Sequence, residues 1–230
     1  MALRIARGLC AALALTLAGA AHAGALDALT NKDATAGLKA ALEKGSGVAV
    51  DLLGRTDGFF GNAAVKIPLP DSLKKYDKLM HTFGMGKYAD ELELTMNRAA
   101  EAAVPEAKKL FVDAVKKMTV QDAKGILTGG QTAGTEYFKR TTSEPLRAKF
   151  LPIVKRATAK VQLAAKYNEY AGKAAKFGLV KKDQTNLDDY VTQKALDGLF
   201  YMVAEEEKKI RQDPVAAGSS IIKKVFGALK

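Results

Sequence analysis

A helix–proline–helix pattern between Lys87 and Met118 constrains the fold of this chain more than any other feature. Its first half repeats apolar side chains at the 3.6-residue period of an amphipathic helix, and Pro105 then interrupts the chain. Proline lacks a backbone N–H, so it kinks a helix or begins a new one. The pattern predicts two consecutive helices that are hinged at Pro105 and seed the core. The apolar positions predicted for the first helix are Met85, Tyr88, Leu92, Met96, Ala99 and Ala103.

The end of that first helix is rich in alanine, and small side chains let neighbouring helices approach closely. Asn97, Arg98 and Glu101 are thereby brought close to packed surroundings, where an unpaired polar group costs ~1–3 kcal/mol. The spacing allows Glu101 to pair with Asn97, four residues earlier, and with Arg98, three residues earlier. We expect either a structural hydrogen-bond network or a ligand pocket. The full set of candidate ligand-binding residues is Asn97, Arg98, Glu101, Asp122, Tyr137 and Arg147.

The first 23 residues have the pattern of a secretory signal peptide. Arg4 and Arg7 precede a short apolar run, and Ala21-His22-Ala23 fits a small-x-small cleavage site. We therefore expect export, cleavage after Ala23 and a periplasmic location. The apolar run is too short to span a membrane, and no later stretch approaches the ~20 apolar residues of a spanning helix. Residues 24–230 are expected to form a single helical domain.

The remaining pattern predicts an all-α fold, a bundle of about eight to ten helices. Asp33 is expected to cap a helix that ends near Leu53, and a short helix follows Asp71 or Ser72. Residues 55–70 should form one extended proline-rich loop, because a residue that precedes proline is pushed out of the α region. Thr119 and Asp122 resemble a capping box at the start of another helix.

Prolines and glycines divide the second half of the chain. One helix is expected from about Thr132 to Arg140, and Ser143 should cap the next, with Pro145 in its first turn. Pro152 should bend that helix, which is expected to continue to about Phe177 and end at Gly178.

Two further helices are predicted beyond residue 185. Thr185-Asn-Leu-Asp188 resembles a second capping box and opens a long helix that ends near Gln212. Its stretch 205–209, with three glutamates and two lysines, is most simply a solvated surface. Pro214 should begin a C-terminal amphipathic helix over 214–230, whose apolar face is expected to pack on the domain. Its lysines leave peripheral membrane contact as the alternative.

The inventory of reactive side chains excludes several classes of enzyme. Residues 24–230 contain one histidine, His81, and no cysteine or tryptophan. Thiol catalysis and zinc sites built from cysteines or several histidines are therefore excluded. No calcium loop, phosphate loop or nucleophile elbow is present, and no metal or cofactor is predicted. Paired carboxylates of the kind used by glycosidases remain open.

The charge of the chain favours anionic partners. It carries a formal net charge of +11, and removing Arg4 and Arg7 with the signal peptide leaves +9. In the periplasm, this charge favours anionic lipid headgroups, lipopolysaccharide or acidic proteins over nucleic acid.

Four segments together resemble a family of exported bacterial proteins, the domain of unknown function 4197. They are VKIPLP at 65–70, ELTMNRAAE at 93–101 with VPEA at 104–107, MTVQDAKGIL at 118–127, and LDDYVTQKALDGLF at 187–200. The resemblance covers nearly all of the chain after residue 23. It implies a predominantly helical Gram-negative envelope protein without an established activity, and it offers no family catalytic residues to carry over.

These observations favour a non-catalytic binding or interaction module for an envelope ligand that is anionic or apolar. The alternative is a carboxylate-based hydrolase that acts on envelope glycans.

Overall fold

The computed structural model describes residues 30–84, 86–175, 181 and 184–229, and every regular element in that part of the chain is a helix. The all-α prediction is therefore confirmed, and the number of helices falls within the predicted range. The predicted signal peptide lies outside the described residues. The α-helices are α1 Asn31–Leu53, α2 Asp71–Thr82, α3 Gly86–Ala103, α4 Ala107–Lys117, α5 Val120–Thr128, α6 Ala133–Thr158, α7 Gln162–Ala175, α8 Leu187–Gln212 and α9 Ser220–Gly227.

Helices α3 and α4 confirm the prediction of a hinge at Pro105. A single 3-10 turn, Val104–Glu106, joins them, and Pro105 lies in its first positions, where a missing N–H costs nothing. Leu92, Met96 and Ala99 are buried as predicted. Tyr88, however, is 43% exposed, so the predicted apolar face was wrong at that position. Met85 lies outside the described residues.

The core is built where α6 and α8 pack against each other and against α1 and α3. Three aromatic rings mark its centre. The rings of Phe111 and Phe138 lie 4.5 Å apart between centroids, and Phe200 lies 6.3 Å from Phe111. Because the rings are tilted, they interdigitate in the way that protein cores favour.

Among the predicted N-terminal caps of α1, α5 and α8, the structure confirms that of α5 and places each of the other two on a different residue from the one predicted. Thr119 and Asp122 form the complete capping box at the start of α5. Helix α1 is capped by the Thr30 side chain, which accepts a bond from the Asp33 backbone, so Asp33 is in the first turn instead of at the cap. Helix α8 is capped by Asn186, one residue after the predicted Thr185.

Helix α6 is continuous where the sequence predicted two helices. It runs through Ser143, whose hydroxyl donates back to the Lys139 carbonyl instead of capping a new helix. Pro145 and Pro152 both lie inside it. The predicted continuation to Phe177 is also wrong, because the chain leaves α6 after Thr158 and α7 begins at Gln162. The predicted end at Gly178 lies outside the described residues.

The last helix, α9, begins at Ser220 and not at Pro214, which lies in a turn. Its Ile222, Val225 and Phe226 are buried, and it contacts α1. Lys44 on α1 donates from Nζ to the Ala217 carbonyl oxygen in the preceding turn. The apolar face of α9 therefore packs on the core, as the sequence predicted.

The long loop between α1 and α2 lies across the helices without forming a strand. It begins with successive turns and then extends over residues 66–70. Its apolar residues Phe59, Val65 and Ile67 are buried. Phe59 packs on Gly198 of α8, where a Cβ would lie 2.7 Å from the Phe59 ring. The loop is thus part of the packed interior.

Candidate functional site

Asn97 holds the extended part of the long loop. Its side-chain oxygen accepts from the Ile67 backbone N–H at 2.8 Å, and its amide nitrogen donates to the Ile67 and Glu93 carbonyls, both at 2.8 Å. The residue is fully buried. All of these partners belong to the backbone, so the pairing of Asn97 with Glu101 that the spacing allowed does not occur.

Glu101 holds the first turn of the same loop. One of its carboxylate oxygens accepts from the Phe59 and Phe60 backbone nitrogens, at 3.0 and 3.1 Å. The other lies 2.6 Å from Arg98, a pairing that the spacing allowed. Arg98 also pairs with Asp57 at 2.8 Å, and Asp57 adopts a φ of 65°. Hydrogen bonds to Glu101 and then to Asp57 raise the pKa of Arg98.

These three residues therefore form a structural network. Every strong acceptor and donor of Asn97 and Glu101 is engaged by the chain itself. Arg98 is partly exposed and approaches the Phe60 ring at 5.9 Å, in the range of a cation–π contact. Of the two alternatives left open by the sequence, this geometry favours the structural one.

Asp122 and Tyr137 lie together between α5 and α6. Asp122 accepts from the Thr119 hydroxyl and backbone, and these bonds hold its pKa below the ordinary value. The Tyr137 hydroxyl donates to the Ala114 carbonyl at 2.8 Å, and burial raises the pKa of this phenol. Arg140 joins the two, 3.7 Å from Asp122 and 5.5 Å from the Tyr137 ring centre. Asp122 and Tyr137 are thus occupied in capping and packing.

Arg147 lines a surface groove that has polar groups on both walls. The groove lies between α6 and α8 and encloses about 550 Å³. Asp122 and Tyr137 line a separate groove of about 570 Å³ between α5 and α6. Arg147 donates to Asp189 at 2.6 Å and to Gln193 at 3.5 Å, both on α8. The sequence candidates therefore separate into three places and do not form one site.

The two walls of the groove follow helical spacing. Helix α6 contributes Glu136, Lys139, Ser143 and Arg147, which recur every three or four residues, and α8 contributes Gln193, Asp197 and Tyr201 in the same way. The floor is the apolar surface of Leu196 and Phe200. The sequence prediction missed every wall residue except Arg147. The repeated polar residues at i, i+4 and i+8 beside the buried stripe of α8 were the signal that could have found them.

The stretch 205–209 contains a second group of interacting polar residues that the sequence prediction missed. It is not wholly solvated, since Glu206 and Glu207 are buried. Glu207 accepts from the backbone nitrogens of Gly134 and Thr135 at 2.9 and 2.8 Å, and Arg211 approaches it at 2.9 Å. A carboxylate is favourable at the first turn of a helix, and here it caps α6 from a different helix. Glu206 and Glu207 fall at the three- and four-residue spacing of the buried stripe of α8, which continues to Ile210. This spacing could have indicated that the two glutamates are buried.

No group of three or more metal-ligating side chains occurs within the described ranges. In the same part of the chain, no helix combines the length and hydropathy needed to cross a membrane. The enclosed cavity beside Leu38, Val203 and Phe226 holds only about 10 Å³. This is roughly one water molecule, too small for a lipid chain.

The family comparison agrees with the resemblance found in the sequence. The family described as protein of unknown function (DUF4197) matches residues 28–227. No curated protein and no solved structure matches the chain. Because the family match covers most of the chain, the protein belongs to the DUF4197 family.

Proposed function

We propose that this DUF4197 protein is an exported, non-catalytic binding module of the bacterial envelope, and that its ligand lies in the groove between α6 and α8. The observation that carries the proposal is the pair of facing polar walls over an apolar floor. Ligand sites in proteins combine such an apolar base with a few placed polar groups. Asn97 and Glu101 are buried beneath the long loop and hold its backbone, so they do not offer a surface to a ligand.

The groove favours a polar ligand that hydrogen-bonds along its length. Its walls present both signs of charge, with Glu136, Lys139 and Arg147 on α6 and Asp197 on α8. Gln193 adds an amide, and Tyr201, which is 45% exposed, adds an aromatic face. The apolar pocket beside Leu38, Val203 and Phe226 offers a ligand only about 10 Å³, roughly one water molecule.

Native mass spectrometry of the protein recovered from its own envelope tests the proposal without a guess about ligand identity. We expect an additional mass on the wild-type protein that is lost in Gln193→Ala and Tyr201→Ala. Tyr88→Ala, an exposed tyrosine on α3, is the matched control and should keep the ligand. A clean protein mass in repeated preparations, with no binding to envelope extracts, would contradict the proposal.

A second candidate function is a carboxylate-based hydrolase that acts on envelope glycans. It is favoured by one observation, namely that Glu136, Glu144 and Asp197 line the same groove. Glycoside hydrolysis needs two carboxyl groups that flank the bond to be cleaved. Incubation with purified peptidoglycan, followed by chromatography of the muropeptides, decides the matter. The hydrolase predicts new fragments that disappear in Glu144→Gln, whereas the binding module predicts none.

Export to the periplasm is part of the same proposal and has its own test. The charged start, short apolar run and small-x-small sequence support cleavage after Ala23. N-terminal sequencing of protein recovered from the periplasm should therefore begin at Gly24. A product that begins at Met1 and stays in the cytoplasm would contradict it.

A further inference from the structure

The net charge of this protein is concentrated in one segment. Residues 24–230 contain 34 basic and 25 acidic side chains. Residues 145–182 hold ten of these basic side chains and a single acidic one, Glu169. The rest of the chain after residue 23 therefore has 24 of each sign and is neutral, so the whole charge of +9 belongs to this segment.

Arg147 and Lys181 of this segment pair with Asp189 and Asp71, whereas five other described cations are exposed. The residues that we call the basic face are Lys149, Lys155, Arg156, Lys160 and Lys166, and all five are exposed. Lys149 and Arg156 lie seven residues apart on one stripe of α6, and Lys160 follows in the turn just after the helix ends. Lys166 follows on the exposed side of α7.

The cations of the basic face form no ion pair or hydrogen bond with the described part of the chain. Elsewhere the lysines and arginines commonly have carboxylate partners, such as Lys109 with Asp113 at 2.5 Å and Lys139 with Glu136 at 2.9 Å. The positive potential of the basic face is therefore not neutralised locally. A surface of this kind attracts an extended anionic partner over about one Debye length, ~10 Å at moderate salt.

Apolar and aromatic surface lies among these cations. Tyr170, one turn after Lys166, is 62% exposed. Pro152 is exposed and Ile153 is half-buried on the Lys149–Arg156 stripe. Tyrosine beside lysine is the combination enriched at the boundary between headgroups and acyl chains, where the ring is partly apolar and the cation meets phosphate. A partner that is recognised by charge alone gives no reason for this apolar component, and stacking of Tyr170 on nucleic-acid bases is the alternative that the oligonucleotide comparison below tests.

We propose that the basic face docks the protein peripherally on a bilayer containing anionic phospholipids, with Lys149, Arg156, Lys160 and Lys166 meeting headgroup phosphates and Tyr170 lying at the interface. Each lysine or arginine near such a surface contributes roughly a fivefold gain in affinity. This membrane contact uses a different surface from the ligand groove and does not depend on it. It also differs from the α9 contact considered from the sequence, because the apolar face of α9 is buried.

Vesicle sedimentation of the processed protein tests the proposal. The probes are vesicles with about one-third phosphatidylglycerol and vesicles of phosphatidylcholine alone. We expect binding to the anionic vesicles only, with most of it lost at about 0.5 M salt. Lys149→Gln/Arg156→Gln/Lys160→Gln should weaken that binding about 100-fold. Tyr170→Ala should remove the part that remains at high salt.

The matched control is Lys108→Gln/Lys109→Gln/Lys116→Gln, which removes the same charge from the exposed side of α4. It should bind like the wild type, and thermal unfolding should show that both triple variants are folded. Absence of binding to the anionic vesicles by the wild type would overturn the proposal. Equal losses in the two triple variants, or tighter binding to an oligonucleotide than to vesicles at matched phosphate concentration, would also overturn it.

Discussion

The Glu207 carboxylate on α8 lies 2.8 Å from the backbone nitrogen of Thr135 in the first turn of α6, 72 residues earlier in the chain. The Thr135 hydroxyl donates to the same carboxylate oxygen at 2.9 Å. Thr132, at the N-cap position of α6, makes no side-chain capping bond. Glu207 therefore supplies from another helix the acceptor that the local sequence does not.

Substitution of Glu207 is expected to be among the most destabilising changes outside the aliphatic core. Glu207→Ala removes the partner of two buried backbone N–H groups and of Arg211, whose side chain is only 13% exposed. Breaking a buried pair of this kind costs ~3–5 kcal/mol. Urea denaturation measures the change. Glu205→Ala, two residues earlier and more exposed, should leave the midpoint nearly unchanged, and equal effects of the two variants would contradict the assignment.

Glu101, and not Arg98, is expected to dominate the network under the long loop. Glu101 is buried and accepts from Phe59 and Phe60, so Glu101→Ala should cost ~3 kcal/mol. Arg98 has 37% of its side chain exposed, and its loss leaves those two bonds in place. Arg98→Ala should therefore lower the denaturation midpoint by less than half as much. Lys108→Ala, a 65% exposed side chain, is the neutral control.

The sequence identified Arg98 and Glu101 as partners but could not decide which one is buried. That depends on the path of residues 55–70, a loop whose backbone donors reach Glu101 from about 40 residues away. Helical periodicity carries no information on such contacts. The pairing of Arg98 with Asp57 was hidden for the same reason.

The prediction for α6 was wrong for a different reason. Local sequence signals for a helix boundary were present, but tertiary packing outweighed them. Ser143 and Pro145 are typical of a helix start, and proline inside a helix removes one bond. The helix nevertheless continues because Phe138, Leu146 and Phe150 bury the same face on both sides of the proline. Burial of these three side chains, worth ~1.5–3 kcal/mol each, outweighs the ~3 kcal/mol that Pro145 costs in a helix interior.

Asn97 is expected to control access to the extended loop. Asn97→Ala leaves the buried Ile67 N–H and carbonyl without their partner, at a cost of about 2–3 kcal/mol. We expect faster cleavage within residues 55–70 by a nonspecific protease under native conditions, because the loop detaches more often. Asp90→Ala, an exposed carboxylate on the same helix, should be cleaved like the wild type. A protected loop in the Asn97→Ala variant would show that other contacts hold it.

Asp122 should confer acid sensitivity on α5. Hydrogen bonds from Thr119 hold the pKa of this carboxyl below its ordinary value of 3.8. Its stabilisation is therefore present above that value and is lost as the pH falls through the lower folded-state pKa. Asp122→Asn should reduce the melting temperature at neutral pH, and the difference from the wild type should shrink in strong acid. The lowered pKa values of Asp33, Asp71 and Asp113 affect both proteins equally. A difference independent of pH would contradict a role for the charge.

Alanine substitutions at two glycines of α1 distinguish two contributions to stability. One is the packing of α9 on α1, and the other is the intrinsic helix propensity of α1. A Cβ on Gly37 would lie 2.8 Å from Val225 Cβ and 2.9 Å from the Ile221 carbonyl oxygen, so Gly37→Ala forces α9 away from α1. Overpacking of this kind costs ~1–3 kcal/mol. Gly47, ten residues later in the same helix, has no atom within 4 Å of its Cβ position, and Gly47→Ala should instead stabilise by about 0.5–1 kcal/mol. We therefore expect the melting temperature to fall in Gly37→Ala and to rise in Gly47→Ala, which thermal unfolding measures. If Gly37→Ala also raises the melting temperature, α9 does not pack on α1 in solution, and its Ile222, Val225 and Phe226 face would then be free for another surface.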